Sequence, residues 1–466
     1  MHDPTPEQAA IIQSVTAGED TIVEALAGCA KSTTLEMCAT AAPASRQILM
    51  LAFNVKIKKE LEARLRGRPN VKVQTLNGLG HGVLLKAGLR PTVDTDKIFK
   101  LTKDLGLRKD DLADTMALAR LARQAGIIPK GKVGKGLLPD DPDVWNEIAL
   151  EEDISLDLVS AARQVFCKSF DLALAGTIDY DDQVYLSALV YGAFPRPDVV
   201  FVDEAQDLSP LNHLQVRKAA GLRGQVVAVG DSHQAIYAWR GADHQSMQSL
   251  RALRPAWTDR TLSVTFRCPR RVVERQWDLV PTFQPGPNNL EGEVRVLSDW
   301  TPAPGSAILC RNNAPIIRLA FRLLRRGVPA QVLGTDIGKS LKRLYNKLSL
   351  HGAKPVSDVI ESAKQQIQID PRKNADKYGS LIALLESGIG IDAALTKLSA
   401  KGGVALATIH RAKGLEWDTV YHLEPDLIPS IHAETEAELQ QEENLRYVAE
   451  TRTKDRLFLV RQAGLR

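Results

Sequence analysis

At 466 residues the chain is too long for a single hydrophobic core, so two or more domains are expected. Its 44% hydrophobic and 25% charged residues fit a globular protein in water, and no run is long and apolar enough to read as a membrane-crossing helix. The net charge of +4 permits nucleic-acid binding without demanding it.

Five scattered cysteines (Cys29, Cys38, Cys167, Cys268, Cys310) form no CxxC pair, which suggests neither a zinc site nor a disulfide framework, and a reducing cytoplasm fits. The start, Met1-His2-Asp3-Pro4, lacks the basic and apolar regions of a signal peptide.

Thr5-Pro6-Glu7-Gln8 opens a short amphipathic helix, with Thr5 as N-cap and Pro6 in the first turn. Gln8 alone reads as a surface residue. Next, the β-type run Thr21-Ile22-Val23-Glu24 enters the small-residue loop Ala25-Leu26-Ala27-Gly28-Cys29-Ala30, and Lys31-Ser32-Thr33 opens a helix to Ala42. This is the layout of a phosphate-binding loop. Backbone N–H groups and a helix N-terminus cradle phosphates, Lys31 reaches the β/γ oxygens and the Ser32 hydroxyl ligates Mg²⁺. Ala25 and Ala30 stand where glycines are usual, and Ala30 is the more serious departure because alanine tolerates positive φ poorly. The competing reading is a small-residue strand-to-helix turn with an exposed lysine. The Cys29 thiol is either structural or oxidation-sensitive.

Ile48 to Asn54 and Val71 to Thr75 read as further strands, the first followed by a basic helix (Lys56, Lys58, Lys59) and the second by Leu76-Asn77-Gly78-Leu79-Gly80-His81. Strands alternating with helices predict a parallel α/β sheet with ligands at its C-terminal edge. From Leu89 to Ala175 the pattern turns helical, with a Lys/Gly loop at 130–136 that either touches phosphates or is solvated. Asp179-Tyr180-Asp181-Asp182 starts a helix with the charges its dipole favours.

Val199-Val200-Phe201-Val202 suits a strand buried on both faces, yet it delivers Asp203-Glu204-Ala205-Gln206-Asp207. Buried charges at a strand end meet a cation or do chemistry. Asp203 is placed to hold Mg²⁺ and Glu204 to polarise an attacking water. Taken alone, a capped turn competes with that reading. Gln225 to Asp231 is another strand-like run. It leads to Gln234-Ala235-Ile236-Tyr237-Ala238-Trp239-Arg240-Gly241, where Gln234 could sense a γ-phosphate while Tyr237, Trp239 and Arg240 stack bases or hold backbone. Aromatic packing under a loop is the alternative.

Thr261 to Arg267 reads as the first strand of a second domain, followed by Ala307 to Arg311, a basic helix around 319–326 and a strand in 328–333. A helical insert fills 334–403. Val404 to Thr408, His410, Lys413 to Trp417, a helix with Glu443, Arg446, Glu450 and Arg452, and a strand from Arg456 to Val460 close the chain.

These residues, in this order, resemble the UvrD/Rep/PcrA group of superfamily 1 DNA helicases. Thr5 to Gln8 resembles the Q motif, Ala25 to Thr33 motif I, Ala52-Phe53-Asn54 motif Ia and Thr75 to His81 motif Ib. Asp203 to Asp207 resembles motif II, Gly230 to Ala242 motif III, Phe266-Arg267 motif IV (usually Tyr-Arg), Thr408 to Trp417 motif V and Tyr447 to Arg452 motif VI. The spelling is nearest the F-box DNA helicase branch, though no F-box is recognisable.

The resemblance implies an α/β fold of two RecA-like parallel-sheet domains with helical insertions. Domain 1A would take 1–88 and 176–258, insertion 1B 89–175, domain 2A 259–333 and 404–466, and a reduced 2B-like insertion 334–403. It implies ATP and Mg²⁺ as cofactors, held by Gln8, Ala27, Gly28, Cys29, Ala30, Lys31, Ser32 and Thr33, with Phe266 stacked on adenine and Glu416 on the ribose. Arg267 and Arg452 would reach the γ-phosphate, where arginine charge favours a loose phosphoryl-transfer transition state. Phe53, Asn54, Thr75, Asn77, His81, Tyr237, Trp239, Arg240, Thr408 and His410 would contact DNA.

The expected activity is ATP-driven 3′→5′ movement on single-stranded DNA with unwinding at single-strand/duplex junctions. Two alternatives stand beside it: a partner-dependent switch or loader that unwinds little, favoured by Ala30 and the small insert, and an RNA-directed enzyme. The expected location is cytoplasmic and nucleoid-associated, in a bacterium or from a phage.

Overall fold

The computed structural model describes residues 3–108, 111–152, 154–237, 243, 245–350, 352–388, 392–393, 396 and 402–465. The chain divides into two compact units, Met1–Ala25 with Ala30–Leu262, and Leu26–Cys29 with Ser263–Arg466.

The first unit carries β1 (Thr21–Ala25), β2 (Ile48–Ala52), β3 (Val71–Thr75), the short pair β4 (Thr92–Val93) and β5 (Thr177–Ile178), then β6 (Val199–Val202), β7 (Gln225–Gly230) and β8 (Thr258–Leu262). Six of them form one parallel sheet in the order β3-β2-β6-β7-β1-β8. Every residue of β2, β6 and β7 is buried, as the apolar runs require of strands covered on both faces, whereas the edge strands β3 and β8 are partly exposed. The parallel order brings the ends of β1, β6 and β7 to one edge, which concentrates the loops expected to carry chemistry.

The longer helices of this unit are α1 (Pro6–Ala17), α2 (Lys31–Ala41), α3 (Val55–Arg64), α4 (Leu76–Lys86), α5 (Lys97–Lys103), α6 (Asp111–Gln124), α7 (Pro142–Glu151), α8 (Val159–Leu174), α9 (Tyr180–Leu189) and α10 (Pro210–Ala220). Helices α5 to α8 bury their own cluster around Trp145 and Phe166, which meet edge-on at 5.4 Å between ring centroids. That cluster continues into Tyr185 and Leu186 of α9, so the helical segment is joined to the sheet layer by packing. Charge joins it too. Arg123 of α6 donates to both oxygens of Asp179 and to Asp182 at 2.9 Å, and Lys97 of α5 pairs with Asp182. Helices α4 and α9 cross closely at Gly80, where a Cβ would lie 2.1 Å from the Gln183 carbonyl oxygen.

The second unit carries β9 (Val264–Thr265) paired with β10 (Gln284–Pro285), and β11 (Glu293–Leu297), β12 (Ala307–Cys310), β13 (Ala330–Val332), β14 (Val404–Thr408), β15 (Trp417–Leu423) and β16 (Thr453–Val460). The last six form a parallel sheet in the order β11-β16-β15-β12-β14-β13. Helices Val356–Ile369 and Pro371–Leu385 bury Val359, Ala363, Leu381 and Leu384 in the same cluster as Ile308, Phe321 and Val404. Asp376 also accepts from Asn313 Nδ2 and the Ala314 N–H, both at 2.8 Å, at the start of helix Asn313–Arg325. The described helices of segment 334–403 therefore share one core with the sheet that flanks them.

Two sequence expectations change. Thr261 and Leu262 do not open the second domain. Residues Thr258–Leu262 pair with Thr21–Ala25 and complete the first sheet, so the division falls after Leu262 rather than at 259. Strands β11 and β15 escaped the sequence reading: β11 is a half-exposed edge, and β15 carries Asp418, Thr419 and His422 within its run.

Candidate nucleotide and nucleic-acid sites

The loop after β1 has the backbone a phosphate cradle needs. Gly28 has φ +73°, and Ala30, the N-cap of α2, is left-handed at φ 59°, ψ 38°. That conformation costs an alanine about 1–2 kcal/mol. Lys31 starts α2, and its Nζ lies 3.4 Å from the Ala25 carbonyl; Ser32 and Thr33 follow in the first turn. Gln8 is buried and doubly engaged. Its Oε1 accepts the Thr5 N–H at 3.0 Å, and its Nε2 donates to Thr34 Oγ1 at 3.0 Å, tying α1 to α2. Adenine recognition by Gln8 would require exchanging one of these bonds. The buried Cys29 belongs with Leu26–Cys29 to the second unit, inside which the Ala27 N–H donates to Tyr447 Oη and the Gly28 carbonyl accepts the Phe266 N–H, both at 2.9 Å.

At the ends of β6 and β7 the carboxylates gather. Asp203 is buried, accepts the Glu204 N–H at 3.0 Å, and is pushed up to about 7 by burial and by Glu204, against the pull of Lys31. A cation would relieve that burial cost, so Asp203 together with the Ser32 hydroxyl is a donor set that fits Mg²⁺. Glu204 is itself left-handed at φ 52°, a strain of the kind that collects at functional positions. Its Oε2 accepts from Gln206 Nε2 at 2.6 Å, while Gln206 Oε1 accepts the Asp231 N–H at 3.0 Å. Asp231 in turn accepts from Gln234 Nε2 at 2.5 Å. One hydrogen-bonded line thus runs from the end of β6 to the segment after β7.

Gln206 and Glu24 carry parts of this site that the sequence reading did not assign. Gln206 lies inside the acidic motif, which was the available signal. Glu24 on β1 accepts from the Ser232 N–H at 2.7 Å and Oγ at 2.8 Å, and burial followed by Asp231 raises it to about 7. No sequence signal marked it, because a glutamate in a strand before a loop is unremarkable until the fold brings Ser232 beside it.

Beside the same edge, Phe53 and Tyr237 stack with centroids 6.2 Å apart and planes 10° apart. A cavity of about 240 Å³ lies against them, lined also by Asn77, Arg123, Asp181 and Tyr185. Asn54 and Thr75 act as caps: Asn54 Oδ1 accepts the Ile57 N–H at 2.9 Å and Thr75 Oγ1 the Gly78 N–H at 3.0 Å. Asn77 Nδ2 donates to the Tyr180 carbonyl at 2.7 Å, and His81 Nδ1 lies 3.3 Å from Gln183 Nε2. Trp239 and Arg240 lie outside the described residues.

In the second unit, Phe266 is half exposed and Arg267 Nε donates to Glu416 Oε2 at 2.7 Å. Burial works to raise the Glu416 carboxyl, but Arg267 and Lys454 outweigh it and hold the group below its usual range. Arg452 is buried, its Nε donating to the Val448 carbonyl at 3.0 Å. Thr408 stands at the N-cap position of the short helix Ile409–Ala412, which carries His410, without a side-chain capping bond. Two residues before Arg452, the buried Glu450 accepts from Arg275 Nε at 2.9 Å and Gln276 Nε2 at 2.6 Å.

A strand, a small-residue loop with left-handed φ, Lys-Ser-Thr at a helix start, and an Asp-Glu pair ending a neighbouring buried strand define a P-loop nucleoside triphosphatase fold of the RecA-like kind. Two family models match the chain, the UvrD/REP helicase N-terminal domain over residues 194–253 and the UvrD-like helicase C-terminal domain over residues 339–463. F-box DNA helicase protein 1 of Schizosaccharomyces pombe is 24% identical over 98% of this chain and 57% of its own length. RecBCD enzyme subunit RecB of Mycolicibacterium smegmatis is 27% identical over 63% of this chain and 27% of its own length. ATP-dependent DNA helicase UvrD2 of Mycobacterium tuberculosis is 24% identical over 55% of this chain and 46% of its own length. Segments 194–253 and 339–463 are thus similar to UvrD-like helicase domains, and the chain spans 57% or less of the length of these relatives. Among the described residues, no helix is long and apolar enough to cross a membrane.

Proposed function

We propose that this chain is an ATP-driven DNA helicase that binds single-stranded DNA and couples hydrolysis to 3′→5′ movement and strand separation at junctions. One observation carries the reading. Gln234, hydrogen-bonded into the Asp-Glu site, and Tyr237, stacked on Phe53, lie three residues apart on one segment. A change at the phosphate end of that segment is therefore passed directly to the base-stacking end.

In this reading Lys31 holds the β/γ-phosphates and the backbone of 27–33 cradles them. Ser32 and Asp203 hold Mg²⁺, which would neutralise phosphate charge when bound. Glu204 accepts the proton of the attacking water, and the hydrogen bond from Gln206 fixes its direction. Gln234 reports the γ-phosphate. Arg267 and Arg452 serve the transferring phosphoryl group, and Phe266 and Glu416 serve the base and ribose. Phe53, Tyr237 and Trp239 stack bases, with Asn54, Thr75, Asn77, His81, Arg240, Thr408 and His410 along the strand. The carboxyl–arginine pair of Glu416 and Arg267 would open for both to act on nucleotide. Work at the DNA takes place in the cytoplasm, and a protein partner supports processive unwinding.

A second reading, a switch or loader that unwinds little, is favoured by the left-handed Ala30. Steady-state ATP hydrolysis with and without unstructured single-stranded DNA, at two salt concentrations, followed by strand displacement on 3′- and 5′-tailed duplexes, separates them. Stimulation that fades with salt and displacement from the 3′ tail support the helicase. Stimulation without displacement supports the switch. Hydrolysis indifferent to DNA sinks the helicase and favours a switch that needs a protein partner.

A further inference from the structure

Helix α3 and the edge strand β3 enclose an open groove of about 410 Å³ on the first unit. Its cationic lining is Lys58 and Arg66 from α3 and the turn after it, Arg68 in the same turn, and Lys72 on β3. Glu62 is the acidic member, and it is already paired with Lys58 at 2.7 Å. Arg66 and Lys72 are exposed and not ion-paired among the described residues. Arg68 is a fixed cation: its Nη2 donates to the Ala39 and Ala42 carbonyls at 2.7 and 2.9 Å, and its buried Nε has no partner. Neutral carbonyls orient that guanidinium without cancelling its charge. Lys56 and Lys59, against Glu60, add to the basic character of the same helix.

Along the chain the groove's lining leads toward the residues of the base-stacking edge. Asn54 caps α3 at one end, and Thr75 ends β3 beside Gln74, the last lining residue. The lining on β3 runs from Val71 to Gln74, about 10 Å at the rise of a strand, which gives room for about two phosphates. We propose that this groove binds the phosphate backbone of single-stranded DNA on its way to or from the Phe53–Tyr237 stack. The proposal rests on the DNA-helicase reading above and adds a second, sequence-independent contact to it. Its chemistry is charge: flexible exposed cations at the rim, one anchored guanidinium at the floor, and no uncompensated carboxylate in the lining.

The test is fluorescence anisotropy of the full chain with oligothymidylates of about 8 and about 20 nucleotides over a salt series. The Arg66→Gln/Lys72→Gln double variant should bind the short oligomer as the unmodified chain does. On the long oligomer it should lose on the order of tenfold in affinity, and its log–log salt slope should fall by about 1.4, the value for two phosphates on a single strand. The Arg66→Lys/Lys72→Arg variant should keep both. Equal losses on the two lengths, or no loss on either, would overturn the groove. Self-association of the double variant with unchanged DNA affinity would also overturn it, showing that Lys72 only guards a sheet edge. If the unmodified chain binds neither length, the DNA reading itself fails.

Discussion

Glu204 and Gln206 are joined side chain to side chain, with Gln206 Nε2 donating to Glu204 Oε2 at 2.6 Å. The same amide accepts the buried Asp231 N–H through its oxygen, so both of its ends are committed and the carboxylate has one direction. Glu204 sits in left-handed backbone, which turns its side chain off the line of β6. In the proposed mechanism Glu204 is the base, and a base held by a locked partner needs little reorganisation when it takes a proton.

Gln206→Ala should therefore cost more than contact energy. DNA-stimulated kcat should fall about 10–100-fold, with a smaller change in the ATP KM, because the bond acts on the reacting group rather than on nucleotide binding. Leaving the Asp231 N–H unpaired should also lower stability by about 1–3 kcal/mol in urea unfolding. Glu204→Gln should abolish turnover while sparing DNA binding; full turnover in that variant would remove Glu204 from catalysis.

Ala30 stores strain that glycine would not. The left-handed cost of about 1–2 kcal/mol is partly offset by the greater unfolded-state freedom of glycine. Ala30→Gly should leave stability equal or raised by about 1 kcal/mol and nucleotide affinity equal or higher. Ala30→Val, with a branched Cβ in left-handed backbone, should lower both. Denaturant unfolding and equilibrium binding of a fluorescent ATP analogue read the pair, and a stable Val variant would contradict the backbone described for this loop.

Asp203 and Glu24 are both raised to about 7, by burial first and by Glu204 and Asp231 respectively. Below that pH each carries a proton, and the one on Asp203 is a proton that a cation must displace. Mg²⁺-dependent ATP binding should weaken as pH falls from 8 to 6, by up to about tenfold per unit for each group that must deprotonate, with proton release on binding near neutrality. The folded chain holds these protons where the unfolded chain has lost them, so their contribution to stability falls as pH rises from about 4 to 7. Asp203→Asn should flatten its share of both profiles. Calorimetry in two buffers of different ionisation enthalpy measures the proton release.

Arg123 closes a buried ion cluster. Burial opposes its charge, but Asp179, Asp182 and Asp181 outweigh that and hold the guanidinium more firmly protonated than usual. Arg123→Leu should destabilise the chain by about 3–5 kcal/mol, since Asp179 and Asp182 would stay buried with less compensation. Arg123→Lys should recover only part, because an ammonium cannot span both carboxylates as the fork does. Thermal unfolding measures both; an unchanged Tm in the Leu variant would show the cluster to be dispensable.

Tyr237→Ala removes one face of the aromatic pair. It should weaken single-stranded DNA binding by about 1–3 kcal/mol and leave DNA-free hydrolysis unchanged. Equal losses in both assays would make Tyr237 a packing residue.

Most of the sheets could be read from the chain because a strand buried on both faces must be apolar throughout. That is why Ile48 to Ala52, Val199 to Val202 and Gln225 to Gly230 stood out. The strands that escaped are those whose burial is partial or whose runs carry polar groups, such as Glu293–Leu297 and Trp417–Leu423. Of Thr258–Leu262 only Thr261 and Leu262 fell in the run read as a strand, Thr261 to Arg267, and not as partners of β1, since pairing is a property of two distant segments.

The small-residue loop before α2, the Asp203–Glu204 pair and the Tyr237 position follow from local order along the chain, and Phe53 from the resemblance to a helicase family. Backbone conformation, strand ends and helix starts are set by near neighbours, so residue type and spacing suffice to mark them. Tertiary structure alone decided that Gln206 bridges Glu204 to Asp231, that Ser232 reaches Glu24, that Arg123 locks α6 to α9, and that Arg68 fixes a charge beside Lys72. Each of these depends on which distant groups lose water together, and a buried polar atom takes whichever partner the packing brings within reach.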